Sequence, residues 1–209
     1  MNIVMMGVQG SGKGTQSKLL AERLKLPHIS TGDLFREHVA EGTELGRRAQ
    51  GFMQRGELVP DAIVCDMVRD RLGRADAAGG FILDGFPRSA FQLAALEGLH
   101  PTDHAVLLEL DDETALVRLA GRSECPRCHI IYGANRPPKT PGVCDACGEP
   151  LKVRGDDQDA QAIRKRLALY HEEIGMLLEY FRWKGVLRRV DAAGTVEEVL
   201  RAVLAALDV

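Results

Sequence analysis

The chain has 209 residues, 45% of them hydrophobic and 27% charged, with a formal net charge of -3. That length can bury a full core and fits one principal domain with small insertions. No apolar run reaches the roughly 18 residues that a membrane helix needs, and the acidic balance offers no general attraction to nucleic acid or an anionic membrane.

Residues 2–7 read as an apolar strand and 13–25 as a helix. Between them Gly7, Gly10, Ser11, Gly12, Lys13, Gly14 and Thr15 form a glycine-rich loop. Strand, loop and helix in that order make a phosphate cradle: backbone N–H groups converge on phosphate oxygens, the helix adds its positive end, and Lys13 supplies a full charge. A nucleotide polyphosphate is the expected ligand. The general pattern places Ser or Thr directly after the lysine, whereas here Gly14 intervenes before Thr15, the hydroxyl that would reach magnesium.

A short strand is expected near 28–30, and helices over 31–41, 43–55 and 60–73, the last opened by Pro60 and Asp61. Further strands fall at 80–83, 104–110 and 186–190, and further helices at 89–98, 112–121, 158–182 and 195–207. Asp111 reads as an N-cap, and Cys65, between Ile63 and Met67, as a buried core thiol. This alternation predicts an α/β fold: a P-loop three-layer architecture, with a parallel sheet covered by helices on both faces. Two stretches interrupt it. Residues 31–59 place two consecutive helices between strands, and 123–153 hold five prolines and little apolar periodicity.

The second interruption carries Cys125, Cys128, Cys144 and Cys147. Two Cys-x-x-Cys knuckles fifteen residues apart are a zinc signature, because each knuckle presents two thiolates to one tetrahedral ion. His129, beside Cys128, is an alternative ligand. Four thiolates leave no open position for water, so the metal is read as structural.

Three more segments set the family: Ser30, Thr31, Gly32, Asp33, Leu34, Phe35 and Arg36; Asp84, Gly85, Phe86, Pro87 and Arg88 followed by Gln92; and Asp156 and Asp157 followed by Arg164, Lys165, Arg166 and Leu167. With the phosphate loop, these motifs resemble the adenylate kinase family from end to end, in the bacterial form whose lid carries zinc. The resemblance implies a core of 1–29, 60–121 and 157–209, a helical monophosphate-binding insertion at 30–59 and a zinc lid at 122–156. It implies phosphoryl transfer between ATP and AMP giving two ADP, with Mg2+ accompanying ATP. It implies small-molecule partners only, a monomer, and a cytoplasmic location, to which the start MNIVMMG adds no secretory signal.

By the same likeness Lys13, Arg88, Arg122, Arg154 and Arg166 act on the transferring group, and Asp84 orients water on magnesium. Gly10, Ser11, Gly12, Gly14, Thr15, Arg118, Ile131, Tyr132 and Gly194 would meet ATP. Thr31, Arg36, Glu57, Leu58, Val59, Gly85, Phe86, Pro87 and Gln92 would meet AMP, together with Arg88, Arg154 and Arg166. Thr31 is alternatively a plain N-cap, and Arg118 alternatively a surface charge. Gln9, Ser11 and Ser123 depart from the residues common in the family, and the interval from Asp157 to Arg166 is one residue longer. A kinase for UMP or CMP remains an alternative, as does a zinc-ribbon NTPase on nucleic acid. The acidic charge and an aromatic content of 5% speak against the latter.

Overall fold

A computed structural model of the chain describes residues 1–54, 59–153 and 160–209. Apolar runs with β-branched residues form five strands: β1 (Asn2–Gly7), β2 (His28–Ser30), β3 (Phe81–Asp84), β4 (His104–Glu109) and, late in the chain, β8 (Leu187–Asp191). They make one sheet in the order β2-β3-β1-β4-β8. β3 pairs in parallel with β1, Ile82 opposite Ile3, and with β2, Ile82 opposite His28. A central strand of a parallel sheet covered by helices is buried on both faces, which is why Phe81, Ile82 and Leu83 run without polar alternation and are at most 1% exposed. The expected mostly parallel α/β fold is the one observed.

The chain divides into two compact units. The first comprises Met1–Met6, Ser17–Val106 and Glu173–Arg188. It holds most of helix α1 (Lys13–Leu24) and all of α2 (Thr31–Ala40), α3 (Glu44–Gln54), α4 (Asp61–Leu72) and α5 (Ala90–Leu99). Helix α2 packs on α3 and α4, and α4 on α5. Ser30 caps α2 by accepting from the Asp33 N–H, and Ser89 caps α5 by accepting from the Gln92 N–H. The capping of α2 thus falls to Ser30, and Thr31 is the first helical residue.

The second unit comprises Gly7–Gln16, Leu107–Glu172 and Arg189–Val209. Its helices are α6 (Asp112–Ala120), the first half of α7 (Ala160–Trp183) and α8 (Val196–Ala206). Asp111 caps α6 through the Thr114 N–H at 2.8 Å, as the sequence indicates. Thr195 and Glu198 form a capping box that opens α8. Val8 of the phosphate loop, Ala115 and Leu119 of α6, and Ile163 and Leu167 of α7 share one buried cluster. The proline-rich stretch builds its own small antiparallel sheet from β5 (Ser123–Glu124), β6 (Ile131–Tyr132) and β7 (Lys152–Val153), in the order β6-β5-β7.

Candidate nucleotide site and cysteine cluster

The phosphate loop is shaped by what surrounds it. Gly7 and Gly10 adopt φ of 143° and 90°, and a Cβ on either would fall 2.6 Å from the Leu108 carbonyl or 2.9 Å from that of Ala115. Only glycine satisfies both the angle and the close approach. Helix α1 begins at Lys13, so Gly14 and Thr15 lie in its first turn, where N–H groups lack intrahelical acceptors and attract anions. The Lys13 ammonium is drawn back over the loop, donating to the carbonyls of Gly7 at 2.5 Å and Val8 at 2.9 Å. Ser11 Oγ and Gln9 Oε1 are buried without a hydrogen-bond partner among the described residues. A loop with an anchored cation and an unspent hydroxyl donor on Ser11 fits a polyanionic ligand.

Arg118 is buried, which removes the surface-charge reading. Its guanidinium donates to the carbonyls of Ala192 and Ala193, both at 2.9 Å, and burial lowers its pKa, countered by Asp111 and Asp191. Gln16 Nε2 donates to the Val196 carbonyl at 2.9 Å. These bonds fix the segment containing Gly194 relative to the loop and α6. Arg122 stands between α6 and β5, its N–H bonded to the Leu119 carbonyl. Arg166 is half-buried on α7, one residue before Leu167 of the cluster that includes Val8. Arg154 lies outside the described residues.

In the first unit a pocket opens at the end of β3. It is lined by Thr31, Val59, Gly85, Arg88 and Gln92 from the expected set, and by Phe35, Asp61, Val64, Ser89 and Glu173, which the sequence did not single out for binding. Thr31 Oγ1 donates to the Gly85 carbonyl at 3.1 Å, and Arg88 Nε donates to the same oxygen at 2.8 Å. Phe86 and Pro87 are buried behind this turn and joined by a cis peptide. Arg36 is exposed and ion-paired to Asp33, and it does not line the pocket. Asp84 ends β3 with His28 Nε2 3.8 Å from its Oδ2. Glu57 and Leu58 lie outside the described residues.

The four cysteines converge. Their sulfurs lie within 4.8 Å of one another, with Cys125–Cys147 at 3.5 Å, Cys128–Cys144 at 3.4 Å and Cys128–Cys147 at 3.7 Å. A tetrahedral zinc with bonds of about 2.3 Å sets sulfurs about 3.8 Å apart, so the cluster has the size of a zinc site. The two knuckles repeat one design. In the first, Cys125 N–H bonds the Ile130 carbonyl and His129 N–H returns to Cys125; in the second, Cys144 N–H bonds Glu149 and Gly148 N–H returns to Cys144, all at 2.9 Å. His129 and Gly148, equivalent in the repeat, both have positive φ. His129 pairs instead with Glu124 at 3.1 Å and is not among the clustered groups.

Tyr132, expected at the ATP side, turns its ring into the knuckle core. It is 1% exposed, its hydroxyl lies 3.5 Å from Cys144 Sγ and accepts from the Asp145 N–H at 2.9 Å. The hydroxyl bond is the leading cause that draws the Cys144 thiol down to about 6. Hydrogen bonds that the Cys128 thiol donates to the Cys125 and Cys144 sulfurs push its pKa up to about 12. Ile131, its neighbour on β6, is half-buried.

A family model described as adenylate kinase matches residues 5–186. The adenylate kinase of Lachnospira eligens is 43% identical over 210 residues, spanning 98% of each chain. That of Streptomyces coelicolor is 45% identical over 215 residues, covering 99% of this chain and 98% of its own, and that of Methanothrix thermoacetophila is 43% identical over 208 residues, covering 95% and 94%. Among the described residues no helix is long and apolar enough to cross a membrane. With matches of that extent running through the phosphate loop, the pocket beside β3 and the cysteine cluster, this chain belongs to the adenylate kinase family and is an enzyme of that family.

Proposed function

We propose that the chain transfers the terminal phosphoryl group of ATP reversibly to AMP, giving two ADP. The observation that carries the acceptor assignment is the pocket in which Arg88, Thr31 and the Gln92 amide stand together. A guanidinium matches a phosphate, and an amide matches the donor and acceptor edge of adenine.

Joining two polyanions requires charge neutralisation and alignment more than covalent chemistry. Lys13 and the first turn of α1 hold the ATP phosphates. Arg88 holds the AMP phosphate with Arg36, and Arg122, Arg154 and Arg166 close on the transferring group. The segment held by Arg118, with Gly194 and the backbone of Ile131 and Tyr132, receives the ATP base and ribose. Glu57, Leu58 and Val59 with Gly85, Phe86 and Pro87 complete the AMP side. No general base is required, because the attacking phosphate oxygen is largely ionised near neutral pH, its second pKa being about 6.

Magnesium arriving with ATP supplies charge neutralisation at the phosphate oxygens. Thr15 would offer its hydroxyl oxygen to such a hard ion, and the Asp84 carboxylate would accept hydrogen bonds from the waters on it. The residues 30–59 and 122–156 act as moving pieces that exclude water once both nucleotides are bound. Cys125, Cys128, Cys144 and Cys147 would hold a zinc ion that keeps the second piece rigid and, with four thiolates and no open position, takes no part in chemistry.

The test is a screen of AMP, UMP, CMP and GMP as acceptors with ATP and magnesium, with Lys13→Met alongside. AMP should be turned over fastest, and the Lys13 variant should lose at least about a thousandfold in kcat, the scale of one oriented charge in a closed site. Faster turnover of UMP or CMP would overturn the acceptor assignment.

A further inference from the structure

The Gln92 amide is gripped from two sides. Its Oε1 accepts from the Arg88 N–H at 2.8 Å, and its Nε2 donates to Asp61 Oδ1 at 2.7 Å. A backbone N–H only donates and an ionised carboxylate only accepts, so these partners allow a single orientation of the amide. The carboxylate is itself held, since the Ser89 hydroxyl donates to Asp61 Oδ2 at 2.5 Å while Ser89 Oγ accepts the Gln92 N–H. Gln92 is 5% exposed, and all four residues line the pocket.

We propose that Asp61 is a positioning residue for base selection: by locking the Gln92 amide, it fixes the order in which one donor and one acceptor face the acceptor nucleotide and so favours a 6-aminopurine over a 6-oxopurine. The inference rests on reading this pocket as the AMP site. Each partner uses one N–H or one lone pair of the amide, which leaves one N–H and one lone pair for a base. Adenine presents an amino donor beside an unprotonated ring nitrogen. Hypoxanthine presents a carbonyl acceptor beside a ring N–H, the same pair in reverse. A half-turn of the amide would convert one match into the other. With Asp61 present, that turn sets the amide N–H₂ against the Arg88 N–H and the amide oxygen against a carboxylate. Replacing the carboxylate by an apolar group removes one of the two constraints and strands a buried donor, so the side chain swings away from this position and no longer imposes its order of donor and acceptor on the base.

The experiment compares kcat/KM for AMP and for IMP, with ATP and magnesium, in the full-length wild type, Asp61→Leu and Asp61→Asn. Wild type should prefer AMP. In Asp61→Leu the AMP-to-IMP ratio should fall about tenfold with a raised KM for AMP and an unchanged KM for ATP, the scale of one lost polar contact. Asp61→Asn keeps an oxygen toward Gln92 Nε2 and can donate to Ser89 Oγ, so it should retain most of the ratio. A purely structural role would reduce both acceptors alike and leave the ratio at its wild-type value; that result overturns the proposal. Failure of the wild type to use AMP would instead remove the reading of the pocket and this inference with it. Should the leucine variant not fold, the wild type decides: the Gln92 side-chain amide protons, assigned by their loss in Gln92→Leu, should exchange slowly with solvent, and rapid exchange overturns the proposal.

Discussion

The sheet and the cysteine module are built on opposite economies. Ile3, Val4, Ile82, Leu83, Ala105 and Val106 are all 0% exposed, so the sheet is held by apolar burial spread over many residues. The module from β5 to β7 has a buried set of Cys125, Tyr132 and Cys144, with Cys128, Ile130, Cys147 and Leu151 partly buried around them. Four of those seven are the thiols themselves. A core this small cannot offset the ordering entropy of the chain around it, so the module would depend on an ion held by its four thiols. The difference sets an expectation for where each part is vulnerable: the sheet to loss of volume, and the module, with the zinc proposed for it, to loss of that ion.

The largest break should come from the metal. Structural zinc on four thiolates contributes roughly 10 kcal/mol or more to the folding of small modules, so stripping it, or Cys144→Ser, should unfold this one locally. Metal analysis should find one zinc per chain. On chelation, the amides of Cys125, His129, Cys144 and Gly148, which make the knuckle hydrogen bonds, should lose protection from hydrogen exchange. The amides of Phe81 and Ile82, bonded to the carbonyls of Met1 and Pro27, should keep theirs. A metal-free protein with both sets equally protected would show that the module stands without its ion.

The sheet should respond in the reverse manner. Ile82→Ala removes a side chain that is 0% exposed at the centre of three paired strands, at a cost of about 2–5 kcal/mol. The midpoint of urea unfolding should drop with the slope unchanged, while zinc content stays at one per chain. Loss of zinc in parallel with the sheet would mean that the two regions do not fold by separate means.

This contrast also explains which features could be read from the sequence. The sheet strands and helices were legible to within about two residues because apolar periodicity and caps such as Asp111 are local signals. The knuckles were legible because ligand spacing is itself the constraint. The two-residue strands β5, β6 and β7 were not, since so short a pairing has no period to detect. Tyr132 sits in an aromatic-poor segment where sequence alone does not say which way a ring faces. Asp61 looks like an ordinary first-turn acid of α4, and its partners Ser89 and Gln92 lie 28 and 31 residues away. Ser30 and Thr31 are equally good caps by composition, and only the backbone angles assign the role to Ser30.

A third tie, neither apolar nor metallic, gives the smallest and most pH-dependent effect. Glu97 on α5 accepts from the Thr102 N–H at 2.9 Å and from the Tyr180 hydroxyl at 3.1 Å, and it is ion-paired to Lys184 just beyond α7. Burial raises its pKa, but the bonds from Lys184, Thr102 and Tyr180 outweigh it, and the net shift is downward. A carboxyl with a lowered folded-state pKa stabilises fully above its unfolded value and loses that contribution as pH falls through the folded value. Glu97→Gln should therefore cost about 1–2 kcal/mol at pH 7, the scale of a charge-assisted bond in a partly buried site. The deficit should shrink as acid protonates Glu97 in the wild type, starting near the ordinary glutamate value of about 4.3. Urea titrations of both proteins at pH 7 and at successive steps below pH 5 check this, and a deficit that stays constant across that range would mean that the Glu97 charge contributes nothing to holding α5 against α7.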